Sequence, residues 1–175
     1  AHNVRVIWAQ GPSTEQITNA TWRSAFLNWS VDAVVNSFAD GINLDFEGAI
    51  PQDSAAYDIL TQLTFDLNQQ LKLAVPTASF AFDVAWSANH VDGRYYNYSA
   101  IADICDFVVI MDYDTRSQVF SGPPCYGGPN SPASTLFGGI ESYLELGVPP
   151  SKLVYGVPWY GYLYQCINVT NVTTT

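Results

Sequence analysis

Positive charge is what this sequence has least of. Six lysines and arginines stand against sixteen aspartates and glutamates, a net charge of −10. Such a balance argues against nucleic acid and anionic membrane as partners, because a polyanion is repelled. No stretch is long and apolar enough to span a bilayer. Histidine is nearly absent, and His2 and His90 form no ligand cluster with the cysteines, so no metal and no cofactor is expected. Cysteine is scarce as well. An odd count of three leaves one thiol unpaired or its partner outside this sequence. Only 13% of the residues are charged and 48% are hydrophobic, the composition of a folded globular protein and not of a disordered one. At 175 residues the chain suits one domain with a real core.

The most informative run present is Asp40-Gly41-Ile42-Asn43-Leu44-Asp45-Phe46-Glu47. It alternates with a period of two, as a strand with two unlike faces does. Ile42, Leu44 and Phe46 would point one way, and Asn43, Asp45 and Glu47 the other. An edge strand with a solvated polar face has the same pattern. Against that, the apolar side is all branched or aromatic, and Gly48-Ala49-Ile50-Pro51 reads as a loop leaving a strand end. Carboxylates gathered there are costly to bury unless bonded, paired or protonated, and strand ends are where barrel enzymes keep their chemistry.

Asparagine points to a compartment. Asn19, Asn28, Asn97, Asn168 and Asn171 each head an Asn-x-Ser/Thr acceptor triplet, and five in so short a chain favour a glycosylated secreted or lysosomal protein. Ala1-His2-Asn3 runs straight into an apolar strand, with no signal-peptide pattern. Cys105, among Ile101, Ile104 and Phe107, reads as a small buried hydrophobe. Cys125 and Cys166 lie in loop-like contexts and are the disulfide candidates, with each other or with residues outside this sequence.

Five strand-like runs occur, at Val4 to Ala9, Gly41 to Glu47, Ala78 to Trp86, Phe107 to Tyr113 and Leu153 to Tyr160. Helical stripes separate most of them. One comprises Trp22, Phe26, Trp29, Ala33, Val34 and Phe38. Another, after a start signal at Asp53-Ser54, comprises Tyr57, Leu60, Leu63, Leu67 and Leu71. A third, Leu136, Ile140, Tyr143 and Leu144, stops at Gly147 and Pro149. Strands alternating with helices predict an α/β fold with a parallel sheet. A Gly/Pro/Ser-rich loop from Ser121 to Ser134 is long enough to bind or cover something.

With these residues in view the chain resembles glycoside hydrolase family 18, the chitinase family. Asp40, Asn43, Asp45 and Glu47 match its Asp-x-x-Asp-x-Asp-x-Glu signature with one substitution, and Met111-Asp112-Tyr113-Asp114 matches Met-x-Tyr-Asp. The segment Leu153 to Gly161 resembles its seventh strand. Phe82 to Ser87, Tyr96-Asn97-Tyr98 with Ile101-Ala102-Asp103, and Gly156 to Tyr162 resemble a branch whose signature also carries Asn at the position of Asn43.

The resemblance implies a (β/α)8 TIM barrel of which this chain covers about strands three to seven. Residues 1–175 would be a single catalytic domain, incomplete at both ends, against the ~250 residues of a whole barrel. The partner would then be the remainder of its own barrel or a larger assembly, and the missing eighth strand would carry a tryptophan that floors the sugar site. Alone, an open sheet with two apolar edges would aggregate and be inactive.

The implied activity is a retaining, substrate-assisted hydrolysis of GlcNAc-β-1,4-GlcNAc, in the chitobiose core of asparagine-linked glycans or in chitin oligosaccharides. Glu47 would protonate the glycosidic oxygen, and Asp45 close by would favour its protonated form. Asp45 would then hold the substrate's acetamide nitrogen, and Tyr113 would donate to the same acetamide. Asn43 and Asp114 would be hydrogen-bond partners at the site, with a turn or cap the plainer role for Asp114. Met111 would fill the barrel interior near the sugar, and Trp86 and Tyr160 could stack on pyranose faces. Asp40 would serve as structural support, and Asp112, on the opposite parity, would face outward. A non-catalytic carbohydrate-binding member, which usually lacks the acid kept here as Glu47, and a purely structural barrel component are the competing readings.

Overall fold

Five strands lie side by side, all parallel, in the order in which the chain makes them. They are β1 (Ile7–Gln10), β2 (Gly41–Leu44), β3 (Ser79–Ala85), β4 (Phe107–Met111) and β5 (Leu153–Gly156). The computed structural model describes residues 4–115 and 127–164. Helices α1 (Thr14–Thr18) and α2 (Ala20–Ser37) join β1 to β2, and α3 (Ala55–Ala74) joins β2 to β3. Next come α4 (Tyr98–Ile104) before β4 and α5 (Ala133–Glu145) before β5. A doubly wound sheet reverses its strand order at a switch point. This sheet never reverses, so its units wind in one direction as in a (β/α)8 barrel, of which they make five consecutive strands.

The alternation of β2 decides what each face holds. Ile42, Leu44 and Phe46 are fully buried and pack in one core with Phe80, Phe82, Val84, Val108 and Ile110 of the neighbouring strands. The helices supply the rest of that core, chiefly Leu60, Leu63, Leu67 and Leu71 from α3, one residue per turn on one side. Gly41 lets β2 and β3 meet, since a Cβ there would come within 2.0 Å of the Ser79 carbonyl oxygen. Gly147 closes the chain after α5 at φ +82°, the left-handed conformation that glycine adopts freely.

Every strand differs somewhat from its expected span. β1 begins at Ile7, β2 ends at Leu44, β4 ends at Met111, and β5 ends at Gly156 and not at Tyr160. Pro158 has no N–H with which to continue the ladder. The short helix α1 was not anticipated, although its capping box is written in the sequence. Gln16 N–H donates to Ser13 Oγ at 3.2 Å, and Ser13 N–H donates to Gln16 Oε1 at 2.8 Å.

The expected stripe on α2 is also corrected. Phe26, Leu27, Ser30 and Val34 are buried, whereas Trp29 is 58% exposed and Phe38, which caps the helix at φ 58°, is 92% exposed. Ser30 takes the inward place because its hydroxyl donates to Gln10 Oε1 at 2.6 Å, a buried polar pair that an apolar stripe does not reveal.

Cys105 is buried in the core as a free thiol. Cys125 and Cys166, with Asn168, Asn171 and residues 121–126 of the expected Ser121 to Ser134 loop, lie outside the described residues. Ala133 and Ser134 of that loop already belong to α5. Asn19 and Asn97 cap α2 and α4 through their side-chain oxygens, and Asn28 is exposed on α2. Among the described residues no helix is long and apolar enough to cross a membrane. Exposed apolar residues collect along both outer strands, Val4, Val6 and Trp8 beside β1 and Val154, Val157, Trp159 and Leu163 beside β5.

Candidate active site

The polar face of the sheet gathers ionisable side chains at its C-terminal end. There a cleft of about 310 Å³ is lined by Asp45, Glu47, Ala85, Trp86, Val91, Asp92, Arg94, Met111, Tyr113, Asp114 and Thr115. Six residues expected at the site thus meet in one place: Asp45, Glu47, Tyr113, Met111, Asp114 and Trp86. Roomier depressions elsewhere hold no residue of the Asp40–Glu47 run. One of about 520 Å³ follows β1 and the aromatic side of α2, and one of about 850 Å³ lies between the start of α3 and the end of α5. The smaller cleft is the one that brings the acids of that run together with Arg94 and Tyr113.

Glu47 has an unforeseen partner. Its Oε2 accepts from Arg94 Nη2 at 2.7 Å, the arginine side chain being 11% exposed and the glutamate 52%. The loops after β2 and β3 are zipped together to make this pair. Ile50 N–H donates to the Gly93 carbonyl at 3.0 Å, and Tyr95 N–H to the Ile50 carbonyl at 3.2 Å. Asp92 Oδ2 stands 3.8 Å from the same Nη2, and Tyr98 donates its hydroxyl to the Arg94 carbonyl at 2.9 Å. Sequence reasoning supplied Glu47 with a carboxylate neighbour, and the structure adds a cation. Nothing local in the sequence marks Arg94 for this.

Asn43 lies behind the cleft wall, where its Nδ2 donates to Asp83 Oδ2 at 2.6 Å. Asp83 was not expected at the site, although its parity gave a signal. It falls between Ala81 and Ala85 on the polar side of β3, while Phe80, Phe82 and Val84 join the core. Burial pushes the Asp83 carboxyl up to about 6, the bond from Asn43 opposes this, and the charges of Asp45 and Glu47 add to it. Burial also raises Asp45, as does Glu47, with Arg94 acting in the opposite direction. Two acids therefore hold protons more readily than free carboxylates do.

Tyr113 faces the cleft just past β4, and burial with the charges of Asp83, Asp45, Glu47 and Asp114 raises its hydroxyl. It thereby stays a donor. Asp114, at φ 56°, accepts from the Tyr160 hydroxyl at 2.5 Å and from the Tyr162 hydroxyl, and its N–H donates to Asn130 Oδ1 at 2.6 Å. Tyr160 is half exposed and is not part of the cleft wall. Its ring meets Tyr113 edge-on at 6.5 Å, and its hydroxyl is committed to Asp114.

Trp86 is held against α5 by a close approach at Gly139, where a Cβ would stand 2.0 Å from the Trp86 carbonyl oxygen. Asp112 is fully buried on the opposite parity and accepts from the Ser131 and Thr135 hydroxyls. Asp40 sits at the far end of β2, accepting Val6 N–H on Oδ2 at 2.7 Å. Among the described residues no group of three or more His, Cys, Asp or Glu could hold a metal ion.

Comparison with known proteins adds to this geometry. Residues 4–174 match the profile of the family described as glycosyl hydrolases family 18. The chain is 37% identical over 166 residues to di-N-acetylchitobiase of Mus musculus and 36% identical over 166 residues to that of Homo sapiens. Each alignment covers 95% of this chain but only 45% and 43% of those proteins, so the chain spans less than half the length of these relatives. Among solved structures, a chitinase of this family from Cycas revoluta in complex with (GlcNAc)3 superposes with a TM-score of 0.70 at 22% identity, covering 89% of this chain and 49% of that one. A chitinase from Bacillus thuringiensis gives 0.69 at 24% identity, over 88% of this chain and 28% of its own. At such identities the superpositions speak for the fold.

Proposed function

Since this chain belongs to glycosyl hydrolase family 18, we propose that the protein carrying it is a retaining glycosidase that cleaves GlcNAc-β-1,4-GlcNAc with the help of the substrate's own acetamide. The observation that supports this most is the meeting of Asp45, Glu47 and Tyr113 in one cleft. Glu47 protonates the glycosidic oxygen as the bond to the leaving sugar breaks. The 2-acetamido carbonyl oxygen closes on the anomeric carbon from the opposite face. Asp45 accepts the acetamide N–H, and the Tyr113 hydroxyl donates to its oxygen, so the ring that forms is held where its charge develops. Water, deprotonated by Glu47, then opens that ring with net retention.

The test is a pair of substrates differing only at carbon 2 of the sugar being cleaved. The N-acetylglucosamine substrate is expected to be hydrolysed, its glucose counterpart to be inert, and a thiazoline analogue to inhibit. Equal rates on both sugars would remove the acetamide from the mechanism, and binding without cleavage would place the protein among saccharide-binding barrels.

The exposed sequons and the acidic composition support a secretory route ending outside the cell or in the lysosome. Peptide N-glycosidase treatment is expected to increase the electrophoretic mobility of the natural protein, and Asn19→Gln or Asn28→Gln to reduce that change.

A further inference from the structure

The loop after β3 meets the cleft through a strained stretch of backbone. His90, Asp92 and Gly93 have φ of 57°, 53° and 72°, so left-handed residues crowd one short turn, and two of them are not glycine. Such a backbone is costly and persists only where its surroundings hold it. Here they do. Gly93 N–H donates to the His90 carbonyl and Arg94 N–H to the Val91 carbonyl, each at 3.0 Å. Ile50 N–H ties the Gly93 carbonyl to the loop after β2, and the His90 ring stacks on Tyr95 at 4.1 Å.

What this turn places is Asp92. Its side chain lines the cleft and is 55% exposed. Its Oδ2 stands 3.8 Å from the same Arg94 Nη2 that lies 2.7 Å from Glu47 Oε2. At 3.8 Å that contact is too long for a hydrogen bond, so the carboxylate keeps acceptor capacity to spare. Asp92 joins the cleft beside Arg94 and is not among the charges that act on Asp45, Asp83 or Tyr113. Asp45 and Tyr113 belong to the acetamide of the cleaved sugar, and Glu47 to the oxygen joining it to the leaving sugar. The place of Asp92 is thus past Glu47, where the leaving sugar emerges.

Resting on the acetamide-assisted reading, in which Glu47 is the acid, we propose that Asp92 is a specificity-determining residue for the leaving sugar. It accepts a hydrogen bond from the hydroxyl at carbon 3 or at carbon 6, the two that flank the oxygen being protonated. Two carboxylates that share one guanidinium nitrogen are close enough for one to hold that oxygen and the other its neighbour. Arg94, between them, sets the spacing of the two contacts. A site built to bind a hydroxyl discriminates against a leaving group without one, because the acceptor is then left unmatched.

Asp92→Gly, made in the natural protein, removes the carboxylate and suits a φ of 53°. Asp92→Asn keeps the shape of the side chain. Both are assayed beside the wild type on chitobiose and on chitobiose whose leaving sugar lacks the hydroxyl at carbon 3 or at carbon 6. On chitobiose, kcat/KM is expected to fall roughly ten- to a hundred-fold in Asp92→Gly, the worth of a hydrogen bond to a charged group. Asp92→Asn should lose less, since its amide oxygen still accepts. The wild type should lose a similar factor on one of the two deoxy substrates, and Asp92→Gly should lose almost nothing further on that one. Each comparison is between substrates of one variant, so a general weakening of the variant leaves it readable.

Wild-type kcat/KM on chitobiose in Asp92→Gly would overturn the proposal. Deoxy losses as large in Asp92→Gly as in the wild type would overturn it too, since Asp92 would then act through Arg94 and Glu47 and not on the leaving sugar. Both results leave the acetamide-assisted reading in place. A wild type that hydrolyses the N-acetylglucosamine and glucose substrates alike would remove that reading and this proposal with it.

Discussion

Arg94 Nη2 and Glu47 Oε2 lie 2.7 Å apart, so the residue at the end of the signature strand is gripped by a nearly buried guanidinium from the next loop. The pair orients Glu47 and at the same time sets the charge felt by Asp45, which Arg94 draws down against the effect of burial. Arg94→Met in the natural protein is expected to lower turnover by about ten- to a hundred-fold through lost orientation. Without the cation Asp45 keeps its proton to higher pH, so the limb of the pH profile set by Asp45 should move upward. Arg94→Lys keeps the charge without the fork and should fall between the two. Unchanged kinetics across the pH range would separate Arg94 from the chemistry.

Glu47→Gln keeps the shape of the side chain and removes its proton. Turnover on a chitobiose substrate is expected to drop by roughly two to four orders of magnitude, the usual contribution of a general acid. Single-turnover measurements would show whether binding survives. Near wild-type hydrolysis would exclude Glu47 as the acid.

Asp83 predicts a pH-dependent stability of defined sign. Its carboxyl is pushed from 3.8 to about 6 on folding, chiefly by burial. Between those values the folded state holds a proton that the unfolded state has lost, so stability falls as pH rises through the window and then levels off. Asp83→Asn removes the titration. Its melting temperature should exceed that of the wild type near pH 7, and the difference should close toward about pH 4. A constant difference, measured by circular dichroism at both pH values, would contradict the buried titration.

Residues 1–175 expressed by themselves are expected to associate and to leave substrate uncleaved. Val4, Val6 and Trp8 at one edge and Val154, Val157, Trp159 and Leu163 at the other are exposed apolar residues beside the two outer strands, whose outer edges have no neighbour among the described residues. Size-exclusion chromatography with light scattering reads this directly. A cooperatively melting monomer that cleaves chitobiose would show that five strands suffice.

Much of the fold and part of the site follow from the sequence because they depend on local periodicity. Alternation at Asp40–Glu47 sends Ile42, Leu44 and Phe46 to the core and Asn43 and Asp45 to the other face whatever lies around them. The leucines of α3 mark their buried side at helical spacing, and Tyr113 and Met111 share a parity opposite to that of Asp112. Strand ends were less legible. Where β5 stops depends on Pro158 and on neighbouring strands, and Tyr160 therefore lies beyond the sheet holding Asp114.

Only the tertiary structure paired Arg94 with Glu47 and Asp83 with Asn43, residues separated by 47 and 40 positions. A charge has no periodicity that names its partner. Which acid meets which base is decided by the register between parallel strands and by the bonds that zip one loop to the next. The sequence by itself determined the composition of the polar face, and the packing of β2 against β3 decided which of its groups meet in a hydrogen bond.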